Sequence, residues 1–289
     1  MRNEKEVLDE IKTWGTNDEN VRVALLTGSR ANSNVITDLF SDYDIEIVVK
    51  NSKAWLNNEK WLSEFGDILI LLRLDTEFSM RMVIYKDYVR IDFRIYSEED
   101  FKKYINQPEL QEHWDTGYKI LFDKDGMTSK LKKPTYQAFI IAKPNQEKFH
   151  AIVTDFWWDI TYVAKSLWRE ELFYAKYMLD KIIRFSYLEL IIEWYAGMRN
   201  NWQITTNKHG RCFKQFLDAE TFTELEKSFA GSGIEENWKS VFATSKLFRR
   251  LAKSIAKELE YSYPVKLDEE ITAYIEKIKG LKRGATFLI

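Results

Sequence analysis

An apolar run, VRVALLT, stops at Gly28-Ser29, and a second run, which alternates strictly, opens at Asp42 as DYDIEIVV. Side chains of an extended strand point alternately to opposite faces. Asp42, Asp44 and Glu46 therefore share one face, and Tyr43, Ile45, Ile47 and Val49 share the other. The apolar set can cover a core. The acidic set repels itself, and a fold that crowds it needs a cation among the carboxylates.

A second stretch carries the same alternation. In YVRIDFRIY, Arg90, Asp92 and Arg94 face one way, and Val89, Ile91, Phe93 and Ile95 the other. Lys86-Asp87 joins this run to SMRMVIY, so residues 79–96 are expected to form a hairpin. If the strand of Asp92 lies beside that of Asp44, three carboxylates converge, enough to hold Mg2+ and to take a proton from an incoming hydroxyl. Glycine at position 28 lets the backbone come close, and the first free amides of a following turn point at an anion. The expected site therefore has nucleotide phosphates at Gly28 and Ser29, and a metal at Asp42 and Asp44 that neutralises them.

The remaining sequence divides in two. Up to about residue 125 short runs rich in Val, Ile and aromatics dominate, with helices expected over 3–14 and 52–65. After the turn DKDG at 123–126 and the prolines Pro134 and Pro144, the texture becomes helical. Two helices are expected between Phe149 and Ala196 with a break near 168–171, and more over 211–229, 234–257 and 267–280. We read domains of 1–145 and 146–289. The final residues, RGATFLI, are compatible with a loose end or with a docked apolar tip.

The chain has 289 residues, a formal charge of −2 from 43 basic and 45 acidic side chains, and one cysteine, Cys212. That charge balance disfavours a nucleic-acid or membrane-surface partner. A lone cysteine agrees with a reducing compartment. No window is long and uncharged enough to cross a bilayer, and the first residues lack the apolar stretch of a signal peptide, so a cytoplasmic protein is expected.

The order apolar strand, Gly-Ser, Asp-x-Asp and a later third acid resembles the nucleotidyltransferase superfold of the DNA polymerase beta type. Within it, TGSRANSNVITDLFSDYDIEIVV and WWDITYVAKSLWREELFYAKYMLDKIIR resemble the aminoglycoside 6-adenylyltransferases, the streptomycin-modifying enzymes, over almost the whole chain. The resemblance implies an α+β chain: an N-terminal polymerase-beta-like mixed sheet with flanking helices, then a C-terminal α-helical bundle domain. It implies transfer of AMP from ATP to a hydroxyl of streptomycin with release of pyrophosphate, Mg2+ on Asp42 and Asp44, and Asp92 as general base. A cationic antibiotic calls for carboxylates and aromatic faces, for which Trp114, Asp115, Trp158, Asp159 and Glu170 are candidates. For ATP the candidate cations are Lys208, by analogy with a helical-domain lysine that closes over nucleotide, and Arg30 beside the Gly-Ser corner; Lys165 and Lys176 are also on the helices. A monomer or weak oligomer is expected. Two other readings remain open from the sequence: a different acceptor, such as another aminoglycoside, a lincosamide or a protein hydroxyl, and a non-catalytic nucleotide-binding regulator.

Overall fold

The computed structural model describes the whole chain except Ser33, 76–78 and 287–289. It separates into two compact units, Met1–Phe139 and Ile140–Ile289. The break falls at 139/140, where 145/146 was expected, because the linking residues already belong to the second unit: the Ile141 amide donates to the Ile204 carbonyl, and Asn145 caps the first long helix. The apolar tip of RGATFLI lies outside the described residues.

The first unit is a six-stranded mixed sheet. Its strands are β1 (Val21–Thr27), β2 (Tyr43–Val49), β3 (Ile68–Asp75), β4 (Ser79–Tyr85), β5 (Arg90–Ser97) and β6 (Lys119–Asp123), in the order β3-β4-β5-β2-β1-β6. Among the described residues only the central β2–β5 pair is parallel. Alternation decides which face each side chain joins. Tyr43, Ile45, Ile47, Val83, Ile91 and Phe93 pack on one face against Val7 and Ile11 of helix α1 (Glu4–Asn17), together with Trp61 and Phe65. α1 starts where Asn3 and Glu6 form a capping box, which satisfies two otherwise orphaned amides.

The expected helix over 52–65 is two pieces, α2 (Ser52–Asn57) and a 3-10 segment, Glu59–Phe65. The Asn51 side chain caps the first and Asn58 the second, so the asparagine amides restart the chain where hydrophobic period alone reads one helix. On the other face of the sheet, Val23, Leu25, Val48 and Tyr96 pack with Phe101 and Ile105 of α3 (Glu98–Ile105) and Trp114 of α4 (Glu112–Asp115). This packing occupies the Val48–Tyr96 end of the central strands. The acids stand at the other end.

The second unit is helical. Its elements are α5 (Gln146–Trp168), α6 (Leu172–Lys176), a π-helical run Tyr177–Leu188, α7 (Glu189–Arg199), α8 (Phe213–Phe216), α9 (Ala219–Lys227), α10 (Ile234–Leu259) and α11 (Val265–Gly280). The break after α5 is at the expected place, with Glu170 in the left-handed region at φ 59°. The expected 211–229 helix is divided into α8 and α9, because the Asp218 side chain accepts from the Thr221 amide and starts a new helix. Phe149, Val153, Phe156 and Trp157 of α5 bury against Val241, Phe248 and Leu251 of α10, with the Phe156 and Phe248 rings stacked at 3.6 Å. No helix among the described residues is long and apolar enough to cross a membrane.

Candidate active site

The parallel pairing of β2 and β5 sets Asp44 directly opposite Asp92, and Glu46 opposite Arg94. On its other side Asp44 pairs with Thr27, the last residue of β1, so the chain turns at Gly28 beside the Asp44 carboxylate. The turn, Gly28–Arg30, is a single 3-10 segment with Ser29 half-buried in it. Gly28 has φ 66°, and a Cβ there would lie 2.0 Å from Asp44 Oδ2. Glycine is required twice over, by the left-handed backbone and by the contact. Gly28→Ala is expected to destabilise the fold by about 1–2 kcal/mol from backbone strain alone and to push Asp44 off its position. Chemical denaturation reads the first effect, and loss of metal-dependent nucleotide binding reads the second.

Arg90 ties the acids together. Its Nε and Nη2 donate to the two oxygens of Asp92 at 2.9 and 2.6 Å, and its Nε stands 3.6 Å from Asp42 Oδ2. Asp92 is 6% exposed. Asp44 is the least compensated of the three. Burial, followed by the negative charges of Asp42, Asp92 and Glu46, pushes its pKa up to about 6, and Arg90 offsets only part of this. A carboxyl that holds a proton this strongly, beside two others, is a position where a divalent cation relieves repulsion. Among the described residues no three His, Cys, Asp or Glu side chains are grouped so as to hold a metal unaided. Mg2+ does not need such a cage, since it takes one or two carboxylates and completes its shell with water and phosphate oxygens. Asp42 and Asp44 have the chemistry for that role, and Arg90 occupies both oxygens of Asp92.

Glu46 is fully buried one pleat further in. It accepts from Trp114 Nε1 at 2.7 Å, and has His113 Nε2 at 3.2 Å and Arg94 at 3.8 Å. Burial works to raise its pKa, but His113, Arg94 and the Trp114 N–H outweigh it, so the net direction is down. Trp114→Phe removes one donor from a buried carboxylate and is expected to cost about 1–3 kcal/mol, measured by urea denaturation.

Three sequence expectations are corrected by these contacts. Trp114 is 0% exposed and spends its N–H on Glu46, so it offers no ring face to a ligand. Asp115 accepts from the Thr135, Gln137 and Ala138 amides and from the Thr135 hydroxyl, and therefore organises its own loop. Arg30 spends its guanidinium on the protein. It donates to the Asp42 and Ser41 carbonyls and to Glu4, and its guanidinium stacks 4.0 Å from the Tyr43 ring centroid. Its task is to pin the loop that delivers Asp42.

The other candidates belong to the helical unit. Trp158 is 66% exposed on α5, while its neighbour Asp159 accepts from the Tyr187 hydroxyl at 2.6 Å. Glu170 is ion-paired with Arg283. Lys208 is exposed at a short 3-10 turn held by Asn207. Lys165 lies over the Tyr162 ring, and Lys176 is taken by Asp180 and the Ala230 carbonyl. Sequence reasoning did not assign Arg90 or Glu46 a task. The period-two pattern put both on the open face, but only the cross-strand register reveals what they touch.

Known proteins of one family resemble this chain along its length. The profile of the streptomycin adenylyltransferase family matches residues 1–278. An aminoglycoside 6-adenylyltransferase of Campylobacter jejuni is 31% identical over 288 residues, covering 96% of each chain. One of Bacillus subtilis (strain 168) is 29% identical over 289 residues, covering 96% of this chain and 98% of its own. A crystal structure of an aminoglycoside 6-adenyltransferase from Bacillus subtilis aligns with 25% identity and a TM-score of 0.48, covering 97% of this chain and 100% of that one. With an acid pair at the start of a strand and a third acid in register beside a glycine corner, and with a family match from its first residue to its last long helix, the chain belongs to the streptomycin adenylyltransferase family of nucleotidyltransferase enzymes.

Proposed function

We propose that the protein transfers AMP from ATP to a hydroxyl of an aminoglycoside, the 6-hydroxyl of streptomycin being the foremost candidate, and thereby inactivates the drug. The observation that carries this reading is the register of Asp44 against Asp92 beside the Gly28 bend, in a chain of this family. ATP phosphates lie at the backbone of Gly28 and Ser29, where glycine permits close approach. Asp42 and Asp44 would hold Mg2+, which when bound would neutralise phosphate oxygens and the charge on the leaving pyrophosphate.

Asp92 accepts the proton of the attacking hydroxyl. Arg90 fixes its plane through two hydrogen bonds, and the approaching hydroxyl competes for one of those oxygens. The acceptor oxygen bonds to the α-phosphorus as the bond to pyrophosphate breaks. In the helical unit, exposed Trp158 with Asp159 and Glu170 suits a cationic drug, and Lys208 suits a phosphate. Such a chain works in the cytoplasm, where ATP is available.

The test is pyrophosphate release by the purified chain with ATP, Mg2+ and a panel of acceptors. Streptomycin turnover is expected, with the modified hydroxyl located by NMR. Reaction of another aminoglycoside or a lincosamide in its place would move the acceptor, and silence across the panel with intact ATP binding would remove the transferase reading.

A further inference from the structure

The β4–β5 hairpin, whose second strand carries Asp92, turns through Lys86-Asp87-Tyr88. The Tyr88 amide donates to the Tyr85 carbonyl and the Tyr85 amide to the Val89 carbonyl, the pattern of a β-turn followed by one left-handed residue. That residue is Tyr88, with φ 67°. Glycine is the ordinary occupant of such a position, and a bulky side chain there is an outlier held at a cost to the fold. Packing does not recover the cost, since Tyr88 is 71% exposed. A ring kept against backbone preference and outside the core calls for a task at the surface.

Tyr88 lines a cavity of about 280 Å³ that lies wholly within the first unit. Leu39 and Phe40, on the loop that leads to Asp42, line it too, and Phe40 is 86% exposed. Arg90 is a further wall, and its guanidinium is the group that grips Asp92 and approaches Asp42. The cavity therefore adjoins the acid site through one shared side chain. Exposed Asp38 adds a carboxylate, while Arg2 and Arg30, the other cations of the lining, are ion-paired with Asp87 and Glu4. Aromatic rings with a carboxylate are the surroundings that a cation favours.

We infer that Tyr88 is an acceptor-binding residue, whose ring receives a cationic sugar. The sheet separates this acceptor from the nucleotide. Gly28 and Ser29 follow β1, on one side of Asp44, and the Tyr88 hairpin leads into β5, on the other. A phosphate chain at the glycine bend and an acceptor at Tyr88 thus reach the acids from opposite sides, with Asp92 on the acceptor's strand. An exposed phenol ring offers its face to a cation and an apolar surface to a sugar ring. The inference rests on the proposed transferase reaction and names a contact for its second substrate.

Steady-state kinetics of the full chain with ATP, Mg2+ and streptomycin, or whichever aminoglycoside reacts in its place, compare the native protein with Tyr88→Gly and Tyr88→Phe. Tyr88→Gly is expected to raise the acceptor KM about tenfold, the worth of one aromatic contact, with the ATP KM and kcat unchanged. It is also expected to melt about 2–4 °C higher as the left-handed strain is released. Tyr88→Phe keeps both ring and strain, and is expected to match the native chain in KM and in melting temperature. A merely structural role would move the melting temperature and leave the acceptor KM alone. A native chain that turns over no acceptor overturns the transferase reading and this inference together. Given native turnover, this inference alone is overturned if Tyr88→Gly keeps the native acceptor KM or melts below the native chain, if the ATP KM rises by the same factor, or if Tyr88→Phe loses as much as Tyr88→Gly.

Discussion

Asp92→Asn is expected to lower the rate of pyrophosphate release by roughly two to four orders of magnitude, the span over which a positioned general base acts, while ATP binding changes little. The asymmetry follows from the register. Asp92 stands across from Asp44 on the neighbouring strand, and Arg90 grips both of its oxygens, so its charge is already compensated by the protein. Removing that charge takes away the proton acceptor and leaves the Asp42–Asp44 pair in place. Asparagine keeps the shape and one acceptor oxygen for Arg90, which guards against a merely structural loss. A split between turnover and nucleotide affinity is therefore the diagnostic result. If Asp92→Asn instead abolished metal-dependent ATP binding and turnover together, Asp92 would be a third metal ligand. Full activity would take it out of the chemistry.

Much of this site was legible in the sequence because β-strands impose a period of two. DYDIEIVV and YVRIDFRIY each allow one buried apolar face, so the sides taken by Asp44, Glu46, Asp92 and Arg94 follow without any knowledge of tertiary structure. The hairpin that carries Asp92 was readable for the same reason, with Lys86-Asp87 as its punctuation. Contacts made across the sheet were not readable in this way. Trp114 in EHWD looks like any exposed aromatic at a helix end, and only the depth of Glu46 in the sheet turns its indole inward. Arg30 next to a phosphate-type corner looks like a phosphate ligand until the loop carbonyls of Ser41 and Asp42 fold back onto it. The π-helical run likewise has no composition that separates it from an ordinary amphipathic helix, since extra turn width is decided by packing.

Asp44→Asn is expected to make the metal-free protein more stable at pH 8, by about 2 kcal/mol, even as it removes activity. The folded-state pKa of Asp44 is raised from 3.8 to about 6, so the fold prefers the protonated carboxyl. That rise corresponds to about 3 kcal/mol, which partial exposure to screening solvent reduces. The sign follows from proton counting. Below about pH 4 the carboxyl is protonated in both folded and unfolded chains, and the full stability is present. As pH rises through about 6 the unfolded chain has already ionised and the folded chain is forced to, so stability is lost and stays lost above that value. Asparagine cannot ionise and escapes the loss. Melting curves in a chelator should accordingly separate at pH 8, with the variant higher, and converge near pH 4. Adding Mg2+ and ATP should raise the melting temperature of the native protein alone, because a bound cation relieves the same repulsion that the substitution removes. A variant less stable than the native chain at pH 8 would mean that the Asp44 carboxylate supports the fold, and that the acid pair is not held at a cost in stability for the sake of a cation.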